Sequence, residues 1–453
     1  MLLIAPVTAI TMDPERRVIA DAGILVDGAH IAAVAKAADL AVRYPLAHRL
    51  DGRGMVAIPG LIDTHSHADQ SLLRGTTDDV HWVPFLRDWI DPWRAQRSRE
   101  DLLAAYRLSL LEMVRSGTTC FLSPNVDPTD DLDALADVIG PSGLRAVLAR
   151  WVEPGAEAVD AKRSLRTAVE AVDRWQGAAG GLIQMWFGLM VPRQEGDRYD
   201  PPFYRAVAQA ARDAGTGIVY HFCSEIEDAE FYEATFGLSP VEWADDHGVL
   251  GPNVALINAC WMWEREIEIV AATGTSVVYS PTATMKMATG VTPVTALQGA
   301  GANVSLGTDG GANNNRLDMI GEMKAGCLVQ NVANRRAGSL SAEQALELAT
   351  IGGARTIGRS DELGSLEVGK RADVVLVELG RPHTTPVTDP VSNLVYAADG
   401  SDVHTVLVDG RVLLRDRVAM TLDEPAVLAE ARAAAARVIG RITPRPQPRW
   451  PVS

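Results

Sequence analysis

Gly60–His67 reads GLIDTHSH, an apolar run that empties into two histidines two positions apart. In extended backbone, residues i and i+2 project from the same face, so the imidazoles of His65 and His67 can reach one metal ion. A bare H-x-H pair is weak, because many such pairs are ordinary loop histidines. What strengthens this one is the same context further along the chain. GIVY ends on His221, and VSLGT ends on Asp309 within LGTDGGANNN. An apolar strand running into a carboxylate is costly unless the carboxylate has a partner. The plain alternative for Asp309 is a turn residue ahead of Gly310 and Gly311. Together the four side chains make a three-histidine, one-carboxylate set. That set suits one borderline divalent metal with a position left for water, zinc first, then iron, cobalt or manganese.

Outward from GLIDTHSH, short apolar runs alternate with helical stretches. The strands read VAIPGLI, TTCFLS, LRAVLAR, IQMWFGLM, GIVYHF, VALINA, SVVYS and VSLGT. Helical stretches such as REDLLAAYRLSLLEMVRSG and YRAVAQAARDAG lie between them, each closing near a glycine. Eight strand–helix units are the count of a (β/α)8 TIM-type barrel, whose chemistry sits at the C-terminal ends of the strands. The barrel is expected over 56–359. The two ends of the chain are rich in strands and turns. Segments 1–55 and 360–425 are expected to pair into one small β-sandwich domain. Segment 426–453 is expected as an alanine-rich amphipathic helix and a Pro-rich tail, TPRPQPRWPVS.

The composition is that of a soluble globular protein, 47% apolar and 22% charged, with no apolar run long enough to span a bilayer. The start lacks a basic leader with a cleavage site, and the four cysteines show no paired spacing. Reduced thiols in a cytoplasmic protein follow. A net charge of −16 argues against nucleic acid or an anionic membrane as partner and does not identify the substrate, a small molecule on the enzyme reading below.

PGLIDTHSHADQSLLRG, SPTATMKMATGVTPV, GANVSLGTDGGANNNRLDMIGEMKAG and GSLEVGKRADVVLVE resemble signatures of the amidohydrolase superfamily, in order and spacing. The branch is that of cytosine deaminase-like and s-triazine chlorohydrolase-like enzymes, and the resemblance covers nearly the whole chain. It implies a metal held by His65, His67, His221 and Asp309, with Asp309 also taking a proton from the attacking water. It implies a homo-oligomer, a dimer or larger. Two-metal relatives carry a lysine at the end of the fourth strand. GLIQMWFGLMVPRQ has none, which implies a single metal.

Two departures from the family pattern bear on the reaction. The fifth-strand histidine is usually followed three residues on by a glutamate that shuttles protons to a ring nitrogen. Here HFCSE puts Ser224 at that spacing and Glu225 one further. A one-residue slip turns a strand side chain to the other face unless a bulge restores it. Glu225 is thus either an acid/base or one solvated carboxylate among Glu227, Asp228 and Glu230. The second departure is Asn258 in VALINACWM, where the family carries a histidine. Asparagine keeps hydrogen-bonding capacity but cannot titrate. It can hold a substrate carbonyl as a neutral donor, or simply cap a strand end.

With one acid/base group removed and another moved, the sequence favours hydrolysis of an N-substituted urea, carbamate or thiocarbamate. In this respect the chain resembles phenylurea hydrolases and the thiocarbamate-cleaving molinate hydrolase. The alternative is a ring aminohydrolase or chlorohydrolase of a purine, pyrimidine or s-triazine, with Glu225 and a loop histidine standing in. DDVHWVPFLRDWIDPWRA supplies His81 as that histidine, and Trp82, Phe85, Trp89 and Trp93 as an apolar lining, although such a stripe is commonly core. His247 is a second candidate, with a helix-capping alternative. Trp261 and Trp263 beyond Asn258 are further candidates for the pocket.

Overall fold

Gly60 divides one expected strand into two. Met55–Pro59 pairs with Leu2–Ile10 and with Val374–Glu378, whereas Leu61–Asp63 pairs in parallel with Thr118–Val126. The residue at the break is necessarily small: a Cβ on residue 60 would lie 2.0 Å from the Thr119 hydroxyl oxygen. The run VAIPGLI therefore serves two sheets, and the first barrel strand is its last part alone.

The structure is a computed structural model and describes residues 1–155, 158–195 and 197–442. Leu61–Asp63 opens an eight-stranded parallel sheet. It continues through Thr118–Val126, Arg145–Val152, Ile183–Leu189, Ile218–Phe222, Val254–Asn258, Ser276–Tyr279 and Val304–Leu306, each beside the next. Strand eight returns to strand one: Thr64 N–H donates to the Leu306 carbonyl at 3.1 Å, and the Thr64 and Ser305 hydroxyls lie 2.8 Å apart. Just beyond, Asp309–Gly310 pairs in parallel with Ser66–His67. The result is the expected (β/α)8 barrel. Its strands are apolar because both faces are covered, and all five residues of Val254–Asn258 are buried.

The strands from both chain ends form a mixed sheet. Leu2–Ile10, Val18–Asp27, His30–Lys36, His48–Leu50 and Met55–Pro59 join Val374–Glu378, Val403–Val408, Arg411–Arg415 and Val418–Ala419. A buried ion pair ties this sheet to the barrel. Arg145, at the start of the third barrel strand, donates to Asp373 at 2.8 Å and to Asp409 at 2.5 Å.

The helix Arg99–Arg115 starts at a capping box, with the Ser98 hydroxyl and the Asp101 carboxylate each bonded to the other's backbone N–H. The C-terminal helix Glu424–Ile439 packs against it, and Arg437 donates to the buried Asp101 at 2.7 Å. The Pro-rich segment 443–453 lies outside the described residues. Among the described residues no helix is long and apolar enough to cross a membrane. All four cysteines are unpaired and buried.

Candidate active site

The pairing of Ser66–His67 with Asp309–Gly310 brings the first and last strand ends together. Asp309 N–H donates to the His65 carbonyl at 2.7 Å. Asp309 sits at φ 64°, which turns its side chain inward, and Gly307 is small because a Cβ there would meet His65 at 2.6 Å. His65 Nε2 and His67 Nε2 lie 3.2 Å apart, and each is 3.5 Å from Asp309 Oδ1. One ring nitrogen from each of His65, His67 and His221 falls within 4.8 Å of the others.

Nothing among the described residues answers this convergence. His221 Nε2 and both carboxylate oxygens of Asp309 are buried without a hydrogen-bond partner among the described residues. A buried carboxylate left alone costs several kcal/mol, so the arrangement is that of ligands around a cation. The imidazoles are in the right state for it. Burial pushes His65 down to about 3 and His67 down to about 4, and takes His221 well below the usual range, so all three are neutral near pH 7. Burial also pushes Asp309 up, with His67 opposing that shift. Ser280 lies 2.9 Å from His65 Nδ1. A proton on that nitrogen donates to the hydroxyl and leaves the Nε2 lone pair facing the cluster. The site fits one divalent metal.

Two further side chains follow the ends of the fifth and sixth strands. Cys223 takes φ 48° just after the fifth strand, so the chain kinks between His221 and Glu225. Glu225 ends up buried at the start of the helix Ile226–Phe236, its Oε1 3.8 Å from His81 Nε2. Burial raises its carboxyl above the usual range, and His81 opposes the shift. Asn258 ends the sixth strand at φ 69°, beside Phe222 in the ladder, buried and with its Oδ1 unpartnered among the described residues.

Residues 56–413 match the amidohydrolase family. The chain belongs to that family. A 5′-deoxyadenosine deaminase from Methanosarcina mazei is 36% identical over 448 residues, covering 97% of this chain and 99% of that protein. A 5-methylthioadenosine/S-adenosylhomocysteine deaminase from Pelotomaculum thermopropionicum is 34% identical, covering 97% and 99%. Among solved structures, an adenosine deaminase from Xanthomonas campestris with bound zinc superposes with a TM-score of 0.89 at 30% identity, covering 96% of this chain and 98% of that one. This amidohydrolase is therefore a hydrolase acting on a carbon–nitrogen bond of a small molecule. The similarities run to deaminases and to triazine hydrolases, and give the expected likeness to phenylurea and molinate hydrolases no support.

The other candidates fall in several places. The Trp82 ring centre lies 6.0 Å from that of His221, and Phe85 stacks on Trp82 at 6.1 Å. Trp89 and Trp93 belong to the same apolar cluster, which extends to Ala431, Ala434 and Val438 of the C-terminal helix. Trp93 is wholly buried, and its indole N–H donates to Asp69. Its place is core packing. Trp261 donates to the Thr289 carbonyl at 2.8 Å and braces the loop after the seventh strand, while Trp263 is exposed. His247 does not stand in for the lost imidazole. Its Nδ1 bonds the Trp243 carbonyl, its Nε2 bonds the Tyr199 hydroxyl, and its ring stacks on Trp243.

Three residues at this amidohydrolase's site went unnoticed in the sequence. Ser280 follows SVVY at a strand end, the same signal that marked His221. Arg193 lies 5.1 Å over the Trp82 ring and pairs with Asp228. Gln70, three residues after His67, is buried with an Oε1 that has no hydrogen-bond partner among the described residues and that a Cβ on Gly310 would meet at 2.5 Å.

Proposed function

We propose that this enzyme is an aminohydrolase, replacing an amino group on a ring carbon of a purine or related heteroaromatic substrate with oxygen from water. The observation that carries the reading is Glu225. The chain turns at Cys223 just ahead of it, and Glu225 lies buried against His81, which adjoins Trp82 over His221; this supports Glu225 as the acid/base. The relatives support the same class, since those named above are deaminases of 5′-deoxyadenosine and of 5-methylthioadenosine/S-adenosylhomocysteine.

His65, His67, His221 and Asp309 would hold the metal, with zinc favoured by the Xanthomonas structure. A bound divalent ion lowers the pKa of its water towards neutrality. Asp309 is placed to accept a proton from that water. Burial raises the Glu225 carboxyl, and Glu225 would be the group that carries a proton to a ring nitrogen, which makes the neighbouring carbon electrophilic. Trp82 and Phe85 form an apolar wall suited to a planar ring.

Asn258 favours a second reading. A buried, non-titrating amide at a strand end can orient a substrate carbonyl, which suits an N-substituted urea or carbamate. A substrate panel separates the two. Ammonia released from a 5′-substituted adenosine or another aminopurine supports the aminohydrolase. Amine released from a phenylurea, with no ammonia from any aminopurine, overturns it.

A further inference from the structure

At the mouth of the site a half-exposed imidazole faces a buried carboxyl. The side chains of His81 and Glu225 are 51% and 8% exposed, and Glu225 Oε1 has no hydrogen-bond partner among the described residues. The other charged groups around Glu225 are Asp228, Glu227 and Arg193. Asp228 accepts from the backbone N–H groups of Ser224 and Glu225 and from the Arg193 guanidinium, so those two are committed to each other. Of this set, His81 is the group that combines a nitrogen facing Glu225 Oε1 with an open edge to water.

Its position is held from both sides. Before it, the Thr77 hydroxyl donates to the Ala312 carbonyl at 2.6 Å, and Asp78 pairs with Lys286 at 2.5 Å. After it, Arg97 bridges Asp69 at 2.6 Å and Asp130 at 2.7 Å. Between these anchors the chain crosses the site, with the Trp82 ring set between His221 and Arg193.

We propose that His81 is a proton relay between Glu225 and bulk water, standing in for the imidazole that Asn258 lacks. The inference rests on the aminohydrolase reading for its chemistry. Water and the ring–NH2 carbon give a ring carbonyl and ammonia. Glu225 gives its proton to the ring nitrogen as the water oxygen bonds to carbon. It then takes a proton from the added hydroxyl and passes it to the amine as the C–N bond breaks. Ammonia leaves as ammonium near pH 7, taking the proton that Asp309 accepted from the water. Glu225 is then one proton short, and His81 passes it that proton and recovers one from solvent. His81 acts through Glu225 and is a positioning residue in this scheme.

The test is His81→Ala in the metal-loaded enzyme, which the exposure of His81 allows to fold. The expected result is a roughly tenfold fall in kcat with little change in KM, restored by added imidazole. With Glu225→Gln also present, imidazole restores nothing. Isotope-edited infrared titration of the Glu225 carboxyl in the resting enzyme moves to higher pH when His81 is removed, because a cationic neighbour is lost. An unchanged kcat, a loss that imidazole does not restore, or an unmoved carboxyl titration overturns the relay. The titration needs no substrate. A wild-type enzyme that deaminates nothing therefore sinks the aminohydrolase reading, while the carboxyl titration still decides the relay.

Discussion

His65 Nε2 and His67 Nε2 lie 3.2 Å apart, closer than two neutral imidazoles approach through these atoms without a proton or a cation between them. The i, i+2 spacing alone would place the rings on one face. The ladder between Ser66–His67 and Asp309–Gly310 aims them at one point.

Removing that point of convergence should show first in metal content. In His65→Ala or Asp309→Asn, metal per chain falls from one towards none by mass spectrometry, and turnover falls below detection. Chelation of the wild type lowers its melting temperature, and zinc restores it. At free metal one hundred times Kd the recovered stability is about 2.7 kcal/mol.

Glu225→Gln keeps the shape of the side chain and removes its proton chemistry. The expected loss in kcat is about 10²–10⁴-fold with metal content unchanged, read by steady-state kinetics and metal analysis. Retained turnover would place proton transfer elsewhere.

Asn258→His restores a titrating ring at the end of the sixth strand. Asparagine and histidine are both among the residues that tolerate φ near 69°, so the backbone should accept the change. Ammonia release from an aminopurine is expected to rise, and any urea hydrolysis to fall. Equal rates on both substrates would remove Asn258 from the mechanism.

Glu322 offers a test of pH-dependent stability. It is buried, accepts from Thr282 N–H and from Asn314 Nδ2, and burial pushes its carboxyl up to about 8. The folded state therefore prefers the protonated form. Its stability is intact below the unfolded pKa, near 4.3, and is lost as pH rises towards about 8. Against Glu322→Gln, the wild-type melting temperature should fall progressively over that window and then level off.

Arg145→Ala leaves Asp373 buried without its ion pair. A loss of about 3–5 kcal/mol is expected in urea denaturation, with part recovered by adding Asp373→Asn.

The barrel was legible because its strands are covered on both faces and so read as unbroken apolar runs. The four proposed ligands stand out in the sequence because they fall where such runs end. Ser280 carries the same mark and was missed only because serine at a strand end is common. The need for glycine at 60 comes from the Thr119 side chain of another strand, which no local pattern reveals. Glu225 was ambiguous for a related reason. Its direction depends on the backbone of Cys223, and a positive φ at cysteine has no signature in HFCSE. The tryptophan stripe shows the limit of periodicity. Trp82 and Trp93 share one spacing, but one reaches His221 and the other packs beneath the C-terminal helix.

The bond from Asp309 N–H to the His65 carbonyl also bears on the order of assembly. The two residues stand at opposite ends of the barrel sequence, so a growing chain cannot complete the ligand set until its eighth strand has docked beside the first. If these residues hold a metal, its capture by the full set would be a late event in the life of the polypeptide. Cellular metal supply would act on an already closed barrel, and a chain cut short before Asp309 would go without its full ligand set however much metal surrounds it.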